Sequence, residues 1–171
     1  MFKDFNISSF KKTKPPSDNS FDTDQEIKAL KKIPLRKDFV KKYDNIEKAF
    51  EQTAKDNNIK DYDKKIAAKL IKDSAPVILE LKKYHNRPRP YELDKNLKAV
   101  KMKSMNTPSF PSGHSAQGML IASVLKDKYG KSSAFMQTAK NISDSRNIAH
   151  AHYKSDTVSY THLTLPTNRE V

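Results

Sequence analysis

The chain contains no cysteine, only three glycines in 171 residues, and no apolar run that approaches the width of a bilayer. The first absence excludes disulfides and thiolate metal sites. So little glycine argues against all-β sandwiches and glycine-rich nucleotide loops, both of which need residues at positive φ, and favours helices. The longest apolar stretches, 75–81 and 118–125, fall far short of the roughly 20 residues a membrane-spanning helix requires. The first twenty residues are polar, are broken by Pro15-Pro16 and carry no apolar stretch of signal-peptide type. No segment alternates as a strand would, no internal repeat is present, and there is no HExxH string for a metal.

What the chain does have is positive charge. Lys and Arg number 33 against 20 Asp and Glu, a formal net charge of +13. Such an excess suits anionic partners, although lysines scattered along helix faces equally make a solvated surface, and nucleic-acid binding is the less favoured reading. The length is that of one domain with a real core.

Residues 1–22 read as an extended polar arm, and 23–157 as a single helical domain. Phe39, Tyr43, Ile46, Phe50 and Thr53 follow one another at spacings of four, three, four and three, one stripe of an amphipathic helix with Asp38 as its cap. A second helix is expected over 61–84 on Ile66, Leu70, Val77, Leu81 and Tyr84, with a kink or break at Pro76. The proline-rich stretch 86–111 reads as loop. Further helices follow over 114–129, stopped by Gly130, and over 132–149, burying Phe135, Ala139 and Ile142. The expectation is an all-α bundle of about five or more helices. Residues 158–171 change style, with no Lys, a Pro and several Thr, and are read as a non-native tail standing where a C-terminal helix belongs.

Three polar strings interrupt this pattern. In Pro111-Ser112-Gly113-His114 a turn feeds a helix, so free N–H groups and hydroxyls gather at its positive end: either an anion site within reach of His114, or simply a capped helix start with Ser112 or Ser115 as cap. Lys82 lies near a helix C-terminus, favourable for any cation. Pro88 and Pro90 hold Arg87 and Arg89 in an extended segment suited to bidentate contact with a phosphate. Finally, Ser145-Arg146 precedes His152, with Asp156 four residues further on. Ser145 and His152 share a face if the helix extends that far, and Asp156 can fix the His152 tautomer. The His150 and His152 pair also raises a metal, without a third ligand at a familiar spacing.

Taken in order, K-x6-RP (Lys82 to Pro90), PSGH (Pro111 to His114) and SR-x5-H-x3-D (Ser145 to Asp156) resemble the type 2 phosphatidic acid phosphatase superfamily. The resemblance runs over about 14–157 and is strongest to its soluble branch, the bacterial class A non-specific acid phosphatases. It implies hydrolysis of phosphate monoesters through a phosphohistidine. By this resemblance His152 is the nucleophile, Asp156 orients it and His114 is the acid and base. Lys82, Arg89, Ser112, Gly113 and Arg146 hold phosphate, and Arg87, inside the spacer, is secondary. It implies no metal or other cofactor, with vanadate as inhibitor or phosphate mimic, and a phosphate-ester substrate; a homodimer is compatible with it. Relatives of this branch are exported to the periplasm or secreted, whereas this chain shows no signal and also suits the cytoplasm. Vanadium-dependent haloperoxidases share the motifs and are the runner-up, a lipid phosphatase being disfavoured without a membrane span. His150 stands where the soluble enzymes have glycine or a small residue; it either crowds or tunes the pocket or, the favoured reading, is an exposed or core-satisfied histidine.

Overall fold

A computed structural model of the chain describes residues 7–159, and every regular element among them is helical. In order these are α1 (Ile7–Lys11), α2 (Phe21–Lys31), α3 (Lys37–Asp44), α4 (Ile46–Asp56), α5 (Lys64–His85), α6 (Pro90–Leu93), a 3₁₀ turn (Lys103–Asn106), α7 (Gly113–Tyr129), α8 (Ser132–Ile148) and α9 (Lys154–Val158). The all-α expectation holds.

Helices α7 and α8 make the most extensive contact in the molecule, and α4 and α5 pack against them. Their shared core contains Phe50, Leu70, Ile121, Leu125, Phe135 and Ile142, all buried. Removing such apolar surface from water contributes about 25 cal/mol per Å². A second cluster joins Val40 of α3 to Ile148, Ala149 and Ala151 at the end of α8. It anchors the chain just before His152.

Several local expectations are corrected. The stripe from Phe39 to Thr53 is two helices rather than one. Asn45 adopts an extended backbone between them, and its side chain accepts from the Lys48 N–H at 2.9 Å, starting α4 afresh. An Asn competes with the helix for backbone hydrogen bonds in this way. The break leaves Asp44 as the last residue of α3, where its carbonyl and carboxylate are free for other partners. Helix α5, by contrast, runs unbroken through Pro76. Its buried positions are Ala67, Leu70, Ser74, Ile78, Leu81 and Lys82, so Ile78 replaces Val77 on the inner face, and Tyr84 is 55% exposed.

At the N-terminal side, the stretch read as an extended arm holds the short α1, and α2 begins at Phe21. Ser20 caps α2 by accepting from the Thr23 N–H at 3.2 Å. Of the segment read as a non-native tail, Val158 ends α9, and residues 160–171 lie outside the described residues.

Candidate active site

The three strings converge at one place. Helix α5 ends at Asn86 in a left-handed conformation (φ 45°), which turns the chain into the Arg87 to Pro90 segment. Helix α8 likewise stops at Ile148, so Ser145 and His152 do not share a helix. His150, at φ 55°, takes the left-handed position of the stop, while the Ala151 N–H reaches back to the Arg146 carbonyl at 3.1 Å. Glycine is the residue that occupies such a position without strain. The His150 ring does not crowd the site. It turns away, with Nδ1 2.7 Å from the Lys98 carbonyl oxygen and Nε2 2.8 Å from that of Ile33.

His152 is buried between two charged partners. Arg89 Nη1 lies 2.9 Å from His152 Nε2, and Asp156 Oδ2 lies 3.3 Å from Nδ1. A guanidinium only donates, so Nε2 must be the acceptor and Nδ1 must carry the proton. The ring is therefore neutral, with its lone pair on Nε2. Burial pushes the His152 pKa down to about 3, and the charges of Arg89 and Lys82 act in the same direction, against the bond to Asp156.

Asp156 is fully buried and surrounded by donors. Arg87 Nη1 donates to Oδ1 at 2.6 Å, while the Ser109 hydroxyl at 2.5 Å, the Tyr153 N–H at 3.0 Å and the His152 ring all meet Oδ2. Burial by itself would raise the carboxyl's pKa. The His152 hydrogen bond, the Arg87 charge and the Ser109 hydroxyl outweigh it, so the net direction is down. Arg87 is held in turn by Glu26 Oε2 at 3.0 Å and stacks 3.7 Å above the Tyr153 ring. Glu26 also accepts from the Ser155 N–H at 2.6 Å.

The other cations lie in the same neighbourhood, Lys82 and Arg89 acting on His152 and Arg146 on His114. Lys82 is buried, with Nζ 2.5 Å from the Pro108 carbonyl oxygen. Burial first, then the neighbouring Arg89, lowers its pKa to about 7 against the pull of Asp156. Arg89 also donates to the carbonyls of Thr107, Ala151 and Ser104. Arg146 donates through Nη1 to Asp44 Oδ1 at 2.9 Å, but its buried Nη2 has no partner. An unpaired, buried guanidinium nitrogen is costly unless an acceptor arrives.

Ser112 is the N-cap of α7. Its hydroxyl accepts from Ser115, and its N–H is taken by the Asp156 carbonyl at 3.1 Å. The hydroxyl proton of Ser112 and the first N–H groups of α7, at Gly113 and His114, remain as donors for an anion at the helix's positive end. His114 Nε2 lies 2.9 Å from the Asp44 carbonyl oxygen, so Nε2 holds the proton of the neutral ring. Burial first, and the Arg146 charge next, push its pKa down to about 4, opposed by the two oxygens of Asp44.

All eight residues expected from the motifs thus belong to one neighbourhood. Arg87 does too, though on the carboxylate rather than on an anion site. Asp44, Glu26 and Ser109 were missed. Glu26 and Asp44 lie far in sequence from the three strings, so only folding brings them to the site; Ser109 lies beside PSGH, which was the available signal. Among the described residues no cluster of three or more His, Asp or Glu side chains could hold a metal ion.

The helical fold thus gathers a neutral buried histidine backed by a carboxylate, with Lys82 and Arg89 acting on it and Arg146 acting on His114. The PAP2 superfamily model matches residues 66–159, more than half of the chain, and the chain belongs to that superfamily. Its members are phosphatases acting on phosphate esters, which gives the site its chemical class. A comparison with curated proteins finds no match. No helix among the described residues is long and apolar enough to cross a membrane.

Proposed function

We propose that the protein hydrolyses phosphate monoesters through a covalent phosphohistidine on His152, in the manner of the class A non-specific acid phosphatases. The observation that carries this reading is the lone pair on His152 Nε2, fixed there by the proton that Nδ1 directs at Asp156.

In the first half-reaction the Nε2 lone pair forms the N–P bond as the P–O bond to the leaving group breaks, and protonated His114 gives its proton to the departing alkoxide. Neutral His114 then takes a proton from water, whose oxygen attacks phosphorus. The N–P bond breaks and its electron pair returns to Nε2. Asp156 stabilises the proton on Nδ1 throughout, as a carboxylate does for a catalytic imidazole. Lys82, Arg89 and the unpaired nitrogen of Arg146 supply positive charge that offsets the negative charge on the equatorial oxygens, with the Ser112 hydroxyl and the Gly113 N–H at the helix end. Vanadate, a tetrahedral oxyanion, fits the same donors and is expected to inhibit.

Turnover of p-nitrophenyl phosphate tests this directly. The expected result is hydrolysis inhibited by vanadate and indifferent to EDTA. Absence of hydrolysis across the acid range, or dependence on an added divalent metal, contradicts it.

A further inference from the structure

Beside the histidines lies an open groove of about 950 Å³ that the chemistry above does not use. Five exposed lysines line it: Lys37, Lys95, Lys98, Lys101 and Lys103. No acidic residue lines it, and none of the five has an ion-pair partner among the described residues. Its floor is apolar, formed by Leu97, Met102 and Met105, with the Tyr91 ring at one side. Met102 and Met105 pack on the cluster at the end of α8.

The groove adjoins the site. Met102 Sδ lies 3.1 Å from Arg146 Nη1, the Ser104 carbonyl accepts from Arg89 at 3.2 Å, and the Lys98 carbonyl meets His150. The Val100 N–H is bonded to the Ala149 carbonyl at 2.9 Å. The 97–106 segment is therefore stitched to the same loop that carries His152, and the groove it lines borders the site where Met102 meets Arg146.

On the phosphatase reading three cations already serve a single phosphate, so five more unpaired ones exceed what a simple monoester can use. Lysine acts on phosphate as a point charge, and Met side chains adapt to flat or irregular apolar surfaces. We propose that this groove is a leaving-group subsite that selects phosphate esters whose leaving group carries a second phosphate together with a ring, the chemistry of a nucleoside bisphosphate. Lys98, Lys101 and Lys103 are its specificity-determining residues. The proposal rests on the phosphatase reading above.

The test compares kcat/KM for adenosine 5′-monophosphate and adenosine 3′,5′-bisphosphate within each protein, with equilibrium binding of the bisphosphate measured alongside. Wild type is expected to prefer the bisphosphate by roughly tenfold or more, and the Lys98→Gln, Lys101→Gln, Lys103→Gln triple variant to lose that preference, as removal of charge-assisted contacts requires. Equal use of the two nucleotides by wild type, or a ratio unchanged in the triple variant, overturns the subsite. So does an unchanged ratio accompanied by lost binding to phosphatidylglycerol vesicles or single-stranded DNA, which would make the face a macromolecular one. If neither nucleotide is hydrolysed but the triple variant binds the bisphosphate about tenfold more weakly, the groove stands and the phosphatase reading falls.

Discussion

Arg87 Nη1 donates to Asp156 Oδ1 at 2.6 Å with both side chains shut away from solvent, at 1% and 0% exposure. Arg87 therefore acts on the histidine at one remove. It occupies one oxygen of the carboxylate and leaves the other for Ser109, the Tyr153 N–H and His152.

Removing the guanidinium leaves a buried carboxylate with too few partners, and breaking a pair of this kind typically costs about 3–5 kcal/mol. Arg87→Ala is therefore expected to lower the denaturant midpoint sharply and reduce activity. Arg87→Lys keeps the charge but not the fork that spans Asp156, Ser155 and Glu26. Chemical denaturation together with kcat measured on the folded fraction checks this. For Arg87→Lys the expected outcome is a folded protein with kcat lowered and phosphate affinity kept, because Arg87 touches the carboxylate rather than the anion.

The pH dependence follows from the two histidines. His152 attacks as the neutral base and its pKa is held down to about 3, so activity rises as pH climbs through that value. His114 donates as the cation and its pKa lies at about 4, so activity of the free enzyme falls as pH climbs further. A profile of kcat/KM with its maximum in the acid range is expected. In the profile of kcat the alkaline limb should move upward, because a bound phosphate dianion offsets the Arg146 charge that acts on His114. Stability runs the other way. Both histidines have folded pKa values below their ordinary 6.5, so the unfolded chain binds more protons and stability is lost as pH falls from about 6.5 toward 3. Saturating phosphate is expected to restore part of it in a thermal melt at acid pH.

Anion affinity should carry the signature of Lys82. Burial and Arg89 bring its ammonium down to about 7, so it is charged below that pH and loses its proton above it. Vanadate or phosphate binding, followed by calorimetry, is expected to weaken as pH rises through 7. In Lys82→Met this limb should vanish and affinity at acid pH should drop by roughly tenfold or more, the value of a charge-assisted contact.

The helices and the motif residues could be read from the chain because both are local properties. Gly130 stopping α7, and Phe135, Ala139 and Ile142 facing inward from α8, follow from backbone preference and a 3.6-residue period. The break at Asn45 was hidden because the apolar period continues across it, and a cap within an unbroken stripe has no periodic signal. Pro76 does not break the helix: a proline removes one ladder hydrogen bond, and α5, packed on α7, continues past it. In the site, spacing exposed the residues at the anion but not their supports. Glu26 reaches Ser155 across 129 residues, and Asp44 reaches Arg146 across 102. Such pairings exist only once the chain has folded. His150 is a buried, satisfied histidine, and the direction of its side chain is set by the left-handed turn it occupies.

The central claim is that His152 Nε2 becomes covalently phosphorylated, and rapid acid-free quenching of the protein during turnover of a ³²P-labelled monoester tests it most directly. Acid-labile, base-stable label is expected on wild type, to persist longer in His114→Ala, where the proton transfers of hydrolysis are impaired, and to be absent from His152→Ala. Label of the same amount and stability on His152→Ala would contradict the assignment of the nucleophile.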